Sequence, residues 1–265
     1  MQGKNSLAAK VFLMIIIIIL YAPIFYLIFY SFNSGGTMSG FEGFTLDWYR
    51  ELLGDTRLLI IVLNTLVIAL LSALFATIIG TFGAIAIHTL KRSKNSILGL
   101  NSVLLVSPDV IIGASFLILF TIAGIQLGFY SVLLSHIAFS IPIVVLMVLP
   151  KLAEMNPSLI DAARDLGATR WDVLTKVILP YITPGIFAGF FMALTYSLDD
   201  FAVTFFVTGN GFSTLSVEIY SMARQGISLH INALSTILFL FTIILVAIYY
   251  VISQRSGVKL GGFRR

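Results

Sequence analysis

The sequence predicts an all-α polytopic membrane protein with six transmembrane helices, both termini in the cytoplasm and a polar helix-turn-helix on the cytoplasmic side. Of its 265 residues, 58% are hydrophobic and 11% are charged, whereas soluble domains carry about 25% charged residues. The mean hydropathy is +1.03. The chain has no cysteine, which excludes disulfides, thiol catalysis and cysteine-ligated metal sites.

Six segments meet the requirement of about 20 mainly apolar residues for a membrane span. The first follows Lys4 and Lys10, as the apolar part of a signal peptide would. It is about twice as long as such a segment and lacks a clear small-residue cleavage site, so we interpret it as a retained span. The predicted spans are residues 9–32, 58–88, 97–124, 129–150, 181–207 and 230–253.

The distribution of basic residues predicts the orientation of the chain. All Lys and Arg residues except Arg50, Arg57 and Arg224 fall in the two tails, in the loop after the second span or in the loop after the fourth. Because basic residues accumulate on the cytoplasmic side of membrane proteins, both termini are predicted to be cytoplasmic. The same distribution accounts for the pI near 9.3 without any binding to nucleic acid.

The first predicted outer loop, residues 33–57, contains a short amphipathic helix over 46–53 that includes Trp48 and Tyr49. Two interpretations remain open. One is an anchor at the membrane interface, because Trp and Tyr favour that depth. The other is a docking surface or the lip of a gate.

Small residues recur along one face of the second and fifth predicted spans. Such stripes allow helix backbones to approach closely, so they predict tight packing, either within the chain or against a second subunit. The residues are Ala69, Ala73, Ala76, Gly80 and Ala84, and Gly185, Gly189, Ala193 and Ser197.

A polar, helix-prone segment, residues 151–180, interrupts the apolar sequence and is predicted to face the cytoplasm. A first helix would start at Ser158, with Asp161 at the spacing of a capping box, and would end at Gly167. A second short helix is predicted over 169–177. A generic amphipathic helix on the membrane surface is the simplest alternative, but it gives no reason for this series of residue types and spacings.

This segment resembles the EAA loop of ABC importer permeases, the type I permeases that depend on a binding protein. In that family Glu-Ala-Ala is followed by three residues, Gly, nine residues, Ile, one residue and Leu-Pro. Here Asp stands for Glu and Val for Ile, and the spacing is intact. The matching residues are Asp161, Ala162, Ala163, Gly167, Val177, Leu179 and Pro180.

The resemblance implies that residues 1–265 form a single transmembrane permease domain. It implies three partners: a second permease subunit in a heterodimer, a cytoplasmic ATPase dimer that binds ATP and Mg, and an extracytoplasmic binding protein. This chain would bind no cofactor, and it lacks a Gly-rich phosphate loop ending in Lys-Ser/Thr, so we expect a transport subunit rather than an enzyme. The residues implied in ATPase coupling are Asp161, Ala162, Ala163, Gly167, Leu179 and Pro180.

Three carboxylates, Asp109, Asp199 and Asp200, lie within predicted spans, and no Lys or Arg lies in those same spans to neutralise them. A charge at the bilayer centre costs about 2.5–3.5 kcal/mol on insertion scales. Counted along straight helices, all three fall between the midplane and the outer half of the membrane. With nearby aromatic residues such as Tyr196, they predict a pathway for a cation. Protonated aspartates hydrogen-bonded between helices are the alternative.

Several short motifs resemble those of the spermidine/putrescine importer permeases, and the likeness extends from about residue 10 to 253. It implies a polyamine cargo, a bacterial inner-membrane location, and a substrate pathway that includes Trp48, Asp109, Ser197, Asp199 and Asp200. The motifs are Ser107-Pro108-Asp109, Gly124-Ile125-Gln126-Leu127-Gly128-Phe129, Ser197-Leu198-Asp199-Asp200 and Phe206-Val207-Thr208-Gly209.

The three histidines, His88, His136 and His230, are far apart in the sequence and show no metal-ligand spacing. Structural metal sites usually show short and regular spacings between ligands in the sequence. We therefore predict no metal site, and interfacial or packing roles for these side chains.

Three other functions stay open. The same machine could carry another cation or a metal complex. A stand-alone secondary transporter could use Asp109 or Asp199 as a proton relay, but that would leave the cytoplasmic segment without a role. An intramembrane aspartyl protease would need a Gly-x-Gly-Asp signature, whereas Ser-Pro and Ser-Leu precede these two acids.

Overall fold

A computed structural model describes residues 5–90, 92–225 and 229–255 of the chain. Within these residues the regular structure is helical, apart from one isolated antiparallel bridge between Asn33 and Phe44. A π-helical segment, Val173–Ile178, joins the eighth helix to the ninth. In chain order the helices are α1 (Asn5–Tyr30), α2 (Asp47–Gly54), α3 (Thr56–Thr89), α4 (Lys94–Val106), α5 (Asp109–Ala123), α6 (Phe129–Glu154), α7 (Ser158–Asp165), α8 (Arg170–Asp172), α9 (Leu179–Asp199), α10 (Ala202–Val207), α11 (Leu215–Gln225) and α12 (Leu229–Arg255).

Among the described residues, four helical runs are long and apolar enough to cross a membrane. The pair α4 and α5 adds a fifth if it is counted as one span, and Leu229–Leu240 is a shorter apolar helix within α12. An all-helical, multi-pass membrane protein is therefore confirmed, whereas the number of six spans and the side of the termini stay predictions. The four runs are Ala9–Tyr30, Thr56–Thr89, Phe129–Glu154 and Arg170–Asp199. Of the basic residues that predict the orientation, Lys4, Lys91, Lys259, Arg264 and Arg265 lie outside the described residues.

The third predicted span, 97–124, is not one straight helix, because α4 and α5 are bent by 104° relative to each other. A proline drives the preceding residue out of the helical conformation, and Ser107 is accordingly extended, with a ψ of 139°. Pro108 follows, and Asp109 becomes the first residue of α5. The depth of Asp109 counted along a straight helix is therefore wrong.

The fifth predicted span, 181–207, starts earlier in the structure and is interrupted near its end. Helical structure is continuous from Arg170 to Asp199, so the segment 169–177 does not form a separate short helix. Pro180 is the second residue of α9 and follows directly after the π-helical segment Val173–Ile178. The hydrogen-bond pattern of the helix changes at that point, and the helix continues through the proline. At the other end Asp200 is extended, with a ψ of 121°, and the helix restarts as α10.

The chain divides into two compact units. The first consists of Met1–Leu58 and Ile219–Arg265, and the second of Leu59–Glu218. In the described part of the first unit, α1 and α2 each pack against α12. The rings of Tyr21 and Phe239, for example, have centroids 6.4 Å apart. Most apolar side chains of α1 are exposed, as expected of a helix that meets lipid or another subunit.

The side chain of Asn33 organises the loop between α1 and α2. Its amide nitrogen donates to the carbonyl oxygens of Thr37 at 2.8 Å and of Gly40 at 2.7 Å. Its amide oxygen accepts from the backbone N–H groups of Gly35 at 3.3 Å and of Glu42 at 2.8 Å. Since Asn33 is fully buried, these four hydrogen bonds satisfy a side chain that would otherwise destabilise the loop.

In the second unit α6 is the central helix, and α9, α4 and α10 pack against it. Val144 of α6 is fully buried between two glycines of neighbouring helices. A Cβ atom at Gly80 of α3 would lie 2.7 Å from the Cβ of Val144, and one at Gly189 of α9 would lie 3.1 Å from its Cγ1. The small residues of α3 and α9 thus allow close packing within the chain, one of the two alternatives that the sequence left open.

Candidate functional site

Asp200 lies at the break between α9 and α10 and caps the second of these helices. Its carboxylate accepts hydrogen bonds from the backbone N–H groups of Val203 at 3.2 Å and of Thr204 at 2.8 Å, and from Thr204 Oγ1 at 2.7 Å. A carboxylate at this position satisfies N–H groups that have no partner within the helix. Only 7% of the Asp200 side chain is exposed, so the residue is part of the protein interior.

His136, in the middle of α6, contacts Asp200 and both sides of the break. The ring is 1% exposed. Its Nδ1 is 2.6 Å from Ser197 Oγ, its Nε2 is 2.8 Å from Thr204 Oγ1, and the same Nε2 is 3.4 Å from Asp200 Oδ2. Ser72 of α3 adds a hydrogen bond to Ser197 Oγ at 3.0 Å. We call Ser72, His136, Ser197, Asp200 and Thr204 the His136 cluster.

Asp109 is the first residue of α5 and is exposed. It accepts a hydrogen bond of 3.0 Å from the hydroxyl group of Tyr196 on α9. The Tyr196 ring packs edge-on against Phe139, with centroids 5.0 Å apart, and Phe139 in turn lies 4.9 Å from the His136 ring. Asp109 is therefore connected through two aromatic rings to the His136 cluster.

Asp199, the last residue of α9, differs from both other carboxylates. It is exposed, and the described contacts include no hydrogen bond or ion pair of its side chain. The structure thus brings Asp109, Ser197, Asp199 and Asp200 into the second unit, but in three environments: Asp200 is buried and fully hydrogen-bonded, Asp109 is exposed beside Tyr196, and Asp199 is exposed without a described partner.

Trp48 belongs to the first unit rather than to the unit that holds the carboxylates. Its Nε1 donates to the carbonyl oxygen of Asn33 at 2.8 Å. Its ring meets the His230 ring edge-on, with centroids 4.9 Å apart, and His230 Nε2 lies 3.2 Å from Glu51 Oε2. Trp48 and His230 therefore join α2 to α12, and His230 has both a carboxylate and an aromatic ring as partners.

The polar segment after α6 forms the predicted helix and turn. The backbone N–H of Ala168 donates to the carbonyl oxygen of Ala163 at 3.0 Å, and that of Gly167 to Arg164 at 2.8 Å. This is the arrangement of a helix C-terminus that ends in a left-handed residue, and Gly167 has a φ of +80°. Asp161 and Arg164 form an exposed ion pair of 3.7 Å. Gly167 therefore ends α7, as the sequence predicted.

The capping of these helices differs from the prediction. The side chain of Ser158 does not cap α7; instead Asn156 Oδ1 accepts from the Ser158 backbone N–H at 3.0 Å. A capping box forms instead at the start of the next helix, α8, where Thr169 and Asp172 each accept the backbone N–H of the other. The reason is geometric: Pro157 has helical dihedral angles, so the chain already turns before Ser158 and the serine lies inside the helix.

Two large apolar side chains, Leu166 and Trp171, extend from this segment. They are 90% and 68% exposed. Ala162 lies within α7 and Leu179 begins α9, and both they and Pro180 remain at least partly exposed. Exposed large apolar side chains on a short polar segment are typical of a surface that another protein covers.

Sequence reasoning missed His136 and Thr204 as functional candidates. It assigned packing roles to the histidines, and it found no basic group to neutralise the aspartates. A signal was present: an imidazole in the centre of an apolar span needs a hydrogen-bonding partner, and Thr204 follows Asp200 at the spacing of one helical turn. Within the described residues, no group of three or more potential metal ligands forms.

Comparisons with known proteins identify relatives over most of the chain. The family described as "Binding-protein-dependent transport system inner membrane component" matches residues 76–257. The chain is 40% identical over 244 residues to the spermidine/putrescine transport system permease protein PotC of Shigella flexneri, covering 92% of each protein. It is 36% identical over 227 residues to the putrescine transport system permease protein PotI of Escherichia coli K12, covering 83% of this chain and 81% of that protein.

Solved structures share the fold at lower identity. A chain of a bacterial ABC transporter involved in the import of the acidic polysaccharide alginate superposes with a TM-score of 0.72 at 19% identity, over 96% of both chains. A chain of the MetNI methionine ABC transporter in inward-facing conformations gives a TM-score of 0.62 at 18% identity, over 74% of this chain and 95% of that one. Transporters named for very different cargoes therefore share this architecture.

Proposed function

Because the chain belongs to the family of binding-protein-dependent transport system inner membrane components, we propose that it is a permease subunit of an ATP-driven ABC importer for polyamines, spermidine or putrescine. The observation that carries the proposal is the identity over nearly the whole chain to permeases that are named for these two cargoes. Membership of the family makes the chain a multi-pass inner-membrane protein.

The proposed assembly contains a second permease subunit, a cytoplasmic ATPase dimer and an extracytoplasmic polyamine-binding protein. In this assembly the chain crosses the membrane six times with both termini in the cytoplasm, as the distribution of basic residues favours. ATP and Mg are bound by the ATPase and supply the free energy of transport. The chain itself contributes half of the membrane pathway and one surface for the ATPase.

The coupling surface is α7 with the turn that follows it. The small side chains of Ala162 and Ala163 allow a partner to approach the backbone, while Leu166 and Trp171 offer exposed apolar area to a groove. The continuous helix from Arg170 to Asp199 supports this assignment. A movement of the partner at the start of that helix is transmitted along its length, because a helix is a stiff element.

The cargo contacts are proposed at the other end of the same helix. Asp199 and Asp109 are exposed carboxylates that can replace water around ammonium groups, and the Tyr196 ring between them can add cation–π attraction. Polyamines carry several ammonium groups along a flexible chain, so carboxylates presented separately by α5 and α9 suit them. The same carboxylates also suit the second candidate function, in which the importer carries another cation or a metal complex.

The test is reconstitution of the chain with its partner permease, ATPase and binding protein in proteoliposomes. We expect ATP-dependent uptake of labelled spermidine or putrescine that requires both the ATPase and the binding protein. Uptake of another cation, with no polyamine uptake, would replace the cargo and keep the machine. Uptake by the purified chain alone, driven by a proton gradient, would refute the importer and restore the stand-alone proton-coupled transporter.

A further inference from the structure

The His136 cluster has no role in the proposed function, although hydrogen bonds join its buried polar side chains across α3, α6, α9 and the break to α10. Both ring nitrogens of His136 are hydrogen-bonded. Buried polar groups of this kind are costly unless every member is satisfied. The position of this buried polar cluster, next to the two proposed cargo residues Asp199 and Tyr196, calls for a physical explanation.

The donors and acceptors of the cluster define a direction. Thr204 Oγ1 has one proton and lies 2.7 Å from an Asp200 oxygen, to which it donates. The hydroxyl group can therefore only accept from His136, so His136 Nε2 carries a hydrogen. On the other side Ser197 Oγ lies 2.6 Å from Nδ1 and 3.0 Å from Ser72 Oγ, whose single proton also faces the carbonyl oxygen of Ala69 at 3.2 Å. The hydrogen bonds thus run from His136 through Thr204 to the Asp200 carboxylate on one side, and they link His136 to Ser197 and Ser72 on the other.

The chain of hydrogen bonds spans the break between α9 and α10. Ser197 lies in the last turn of α9, Thr204 lies in the first turn of α10, and His136 holds both from a third helix. Asp199 and Tyr196 flank this anchored turn. Fixing Ser197 therefore fixes the direction in which its neighbours present a carboxylate and an aromatic ring, because successive residues of a helix are held at set angles.

We propose that His136 is a positioning residue of the transport pathway: by holding Ser197 and Thr204 across the break, it sets the orientation of Asp199 and Tyr196. Asp200 then serves as the anchor of the hydrogen-bond chain and not as a cargo ligand. This inference rests on the proposed function and adds two residues, His136 and Thr204, to those that determine passage of the cargo.

Two substitutions separate the hydrogen bonds of His136. In His136→Gln the amide nitrogen reaches the place of Nε2 and can still donate to Thr204. In His136→Asn the amide reaches only the place of Nδ1, so Thr204 and Asp200 lose their link to α6. His88→Asn is the matched control, because His88 lies in the same unit and the described contacts give it no hydrogen bond or ion pair.

The readout is the amount of labelled polyamine taken up per ATP hydrolysed by the reconstituted complex. We expect His136→Asn to lower this ratio at least tenfold, while the yield of complex and the ATPase activity stimulated by the loaded binding protein stay within about twofold of the unsubstituted complex. His136→Gln keeps the link to Thr204 but loses the link to Ser197, so it should lower the ratio as well, whereas His88→Asn should retain all of it. If His136→Asn yields no complex, Thr204→Val should lower the ratio and Thr204→Ser restore it.

Two results overturn the inference. One is an unchanged ratio in His136→Asn or Thr204→Val. The other is a parallel fall of uptake, ATPase activity and complex yield, which would make the cluster purely structural. Absence of polyamine uptake by the unsubstituted complex is a different result: it refutes the proposed cargo, and the same ratio is then measured with the cargo whose binding protein stimulates the ATPase.

Discussion

Replacing Gly80 by alanine should destabilise the second unit, whereas the same replacement at Gly83 should not. Both glycines lie in α3, so both substitutions gain the same helix propensity, about 1 kcal/mol. They differ in what the new methyl group meets. At Gly80 it would lie 2.7 Å from the Cβ of Val144 and 3.1 Å from the carbonyl oxygen of Ile141, while at Gly83 it would meet only Val145 Cγ2, at 3.9 Å.

The magnitude follows from these distances. Carbon atoms in contact prefer a separation of about 3.5–4.0 Å, so the methyl group at Gly80 is roughly 1 Å too close to a branched side chain that is fully buried. Val144 can move only together with α6, since Gly189 of α9 closes its other side. Such overpacking typically costs about 1–3 kcal/mol, and the propensity term cancels in the comparison with Gly83→Ala.

Thermal unfolding of the two purified variants in the same detergent, followed by helical circular dichroism at one scan rate, measures the difference. At about 2–4 °C per kcal/mol for a chain of this size, Gly80→Ala should unfold roughly 2–12 °C below Gly83→Ala. A midpoint for Gly80→Ala equal to or above that of Gly83→Ala would falsify the close packing of α3 against α6.

Three further substitutions test the two ends of the Arg170–Asp199 helix. Gly167→Ala places a Cβ at a φ of +80°, which costs about 1–2 kcal/mol. We expect the turn to relax in the free chain, so that docking has to restore the strained conformation and the ATPase binds up to about 5- to 30-fold more weakly in nanodiscs; equal affinity contradicts the docking assignment. Leu166→Ser removes an exposed side chain whose burial contributes about 1.5–3 kcal/mol; the same binding assay should show at least a tenfold loss with an unchanged unfolding temperature. Tyr196→Phe keeps the ring but loses the bond to Asp109, so uptake should fall about twofold to tenfold, and full uptake would remove Tyr196 from the pathway.

The elements that composition and periodicity encode were predictable from the sequence. Apolar runs of sufficient length predicted the helices, because a membrane leaves the backbone no other way to satisfy its hydrogen bonds over a single segment. The segment that resembles the EAA loop was recognisable because its residue types and spacing are local. Gly167 ends α7 for a reason that depends on one residue only, its tolerance of a positive φ.

Local breaks were harder to predict than spans. Pro108 was visible in the sequence, yet the 104° bend it starts depends on how α5 packs against α10 and α6. Pro180 had the opposite outcome, because it follows directly after the π-helical segment Val173–Ile178, where the hydrogen-bond pattern changes, and the helix continues through it. The same residue type therefore interrupted one predicted span and left another intact.

Composition and periodicity predict a helical membrane protein with a polar segment that resembles a docking loop and with three carboxylates in an apolar setting. Which carboxylate is buried and which is exposed was decided only by the tertiary structure. Asp199 and Asp200 are neighbours in sequence, but Asp200 is held by His136, 64 positions earlier in the chain. Such a pairing produces no periodic pattern in the sequence, because it depends on how α6 packs against α9 and α10 and not on any local pattern.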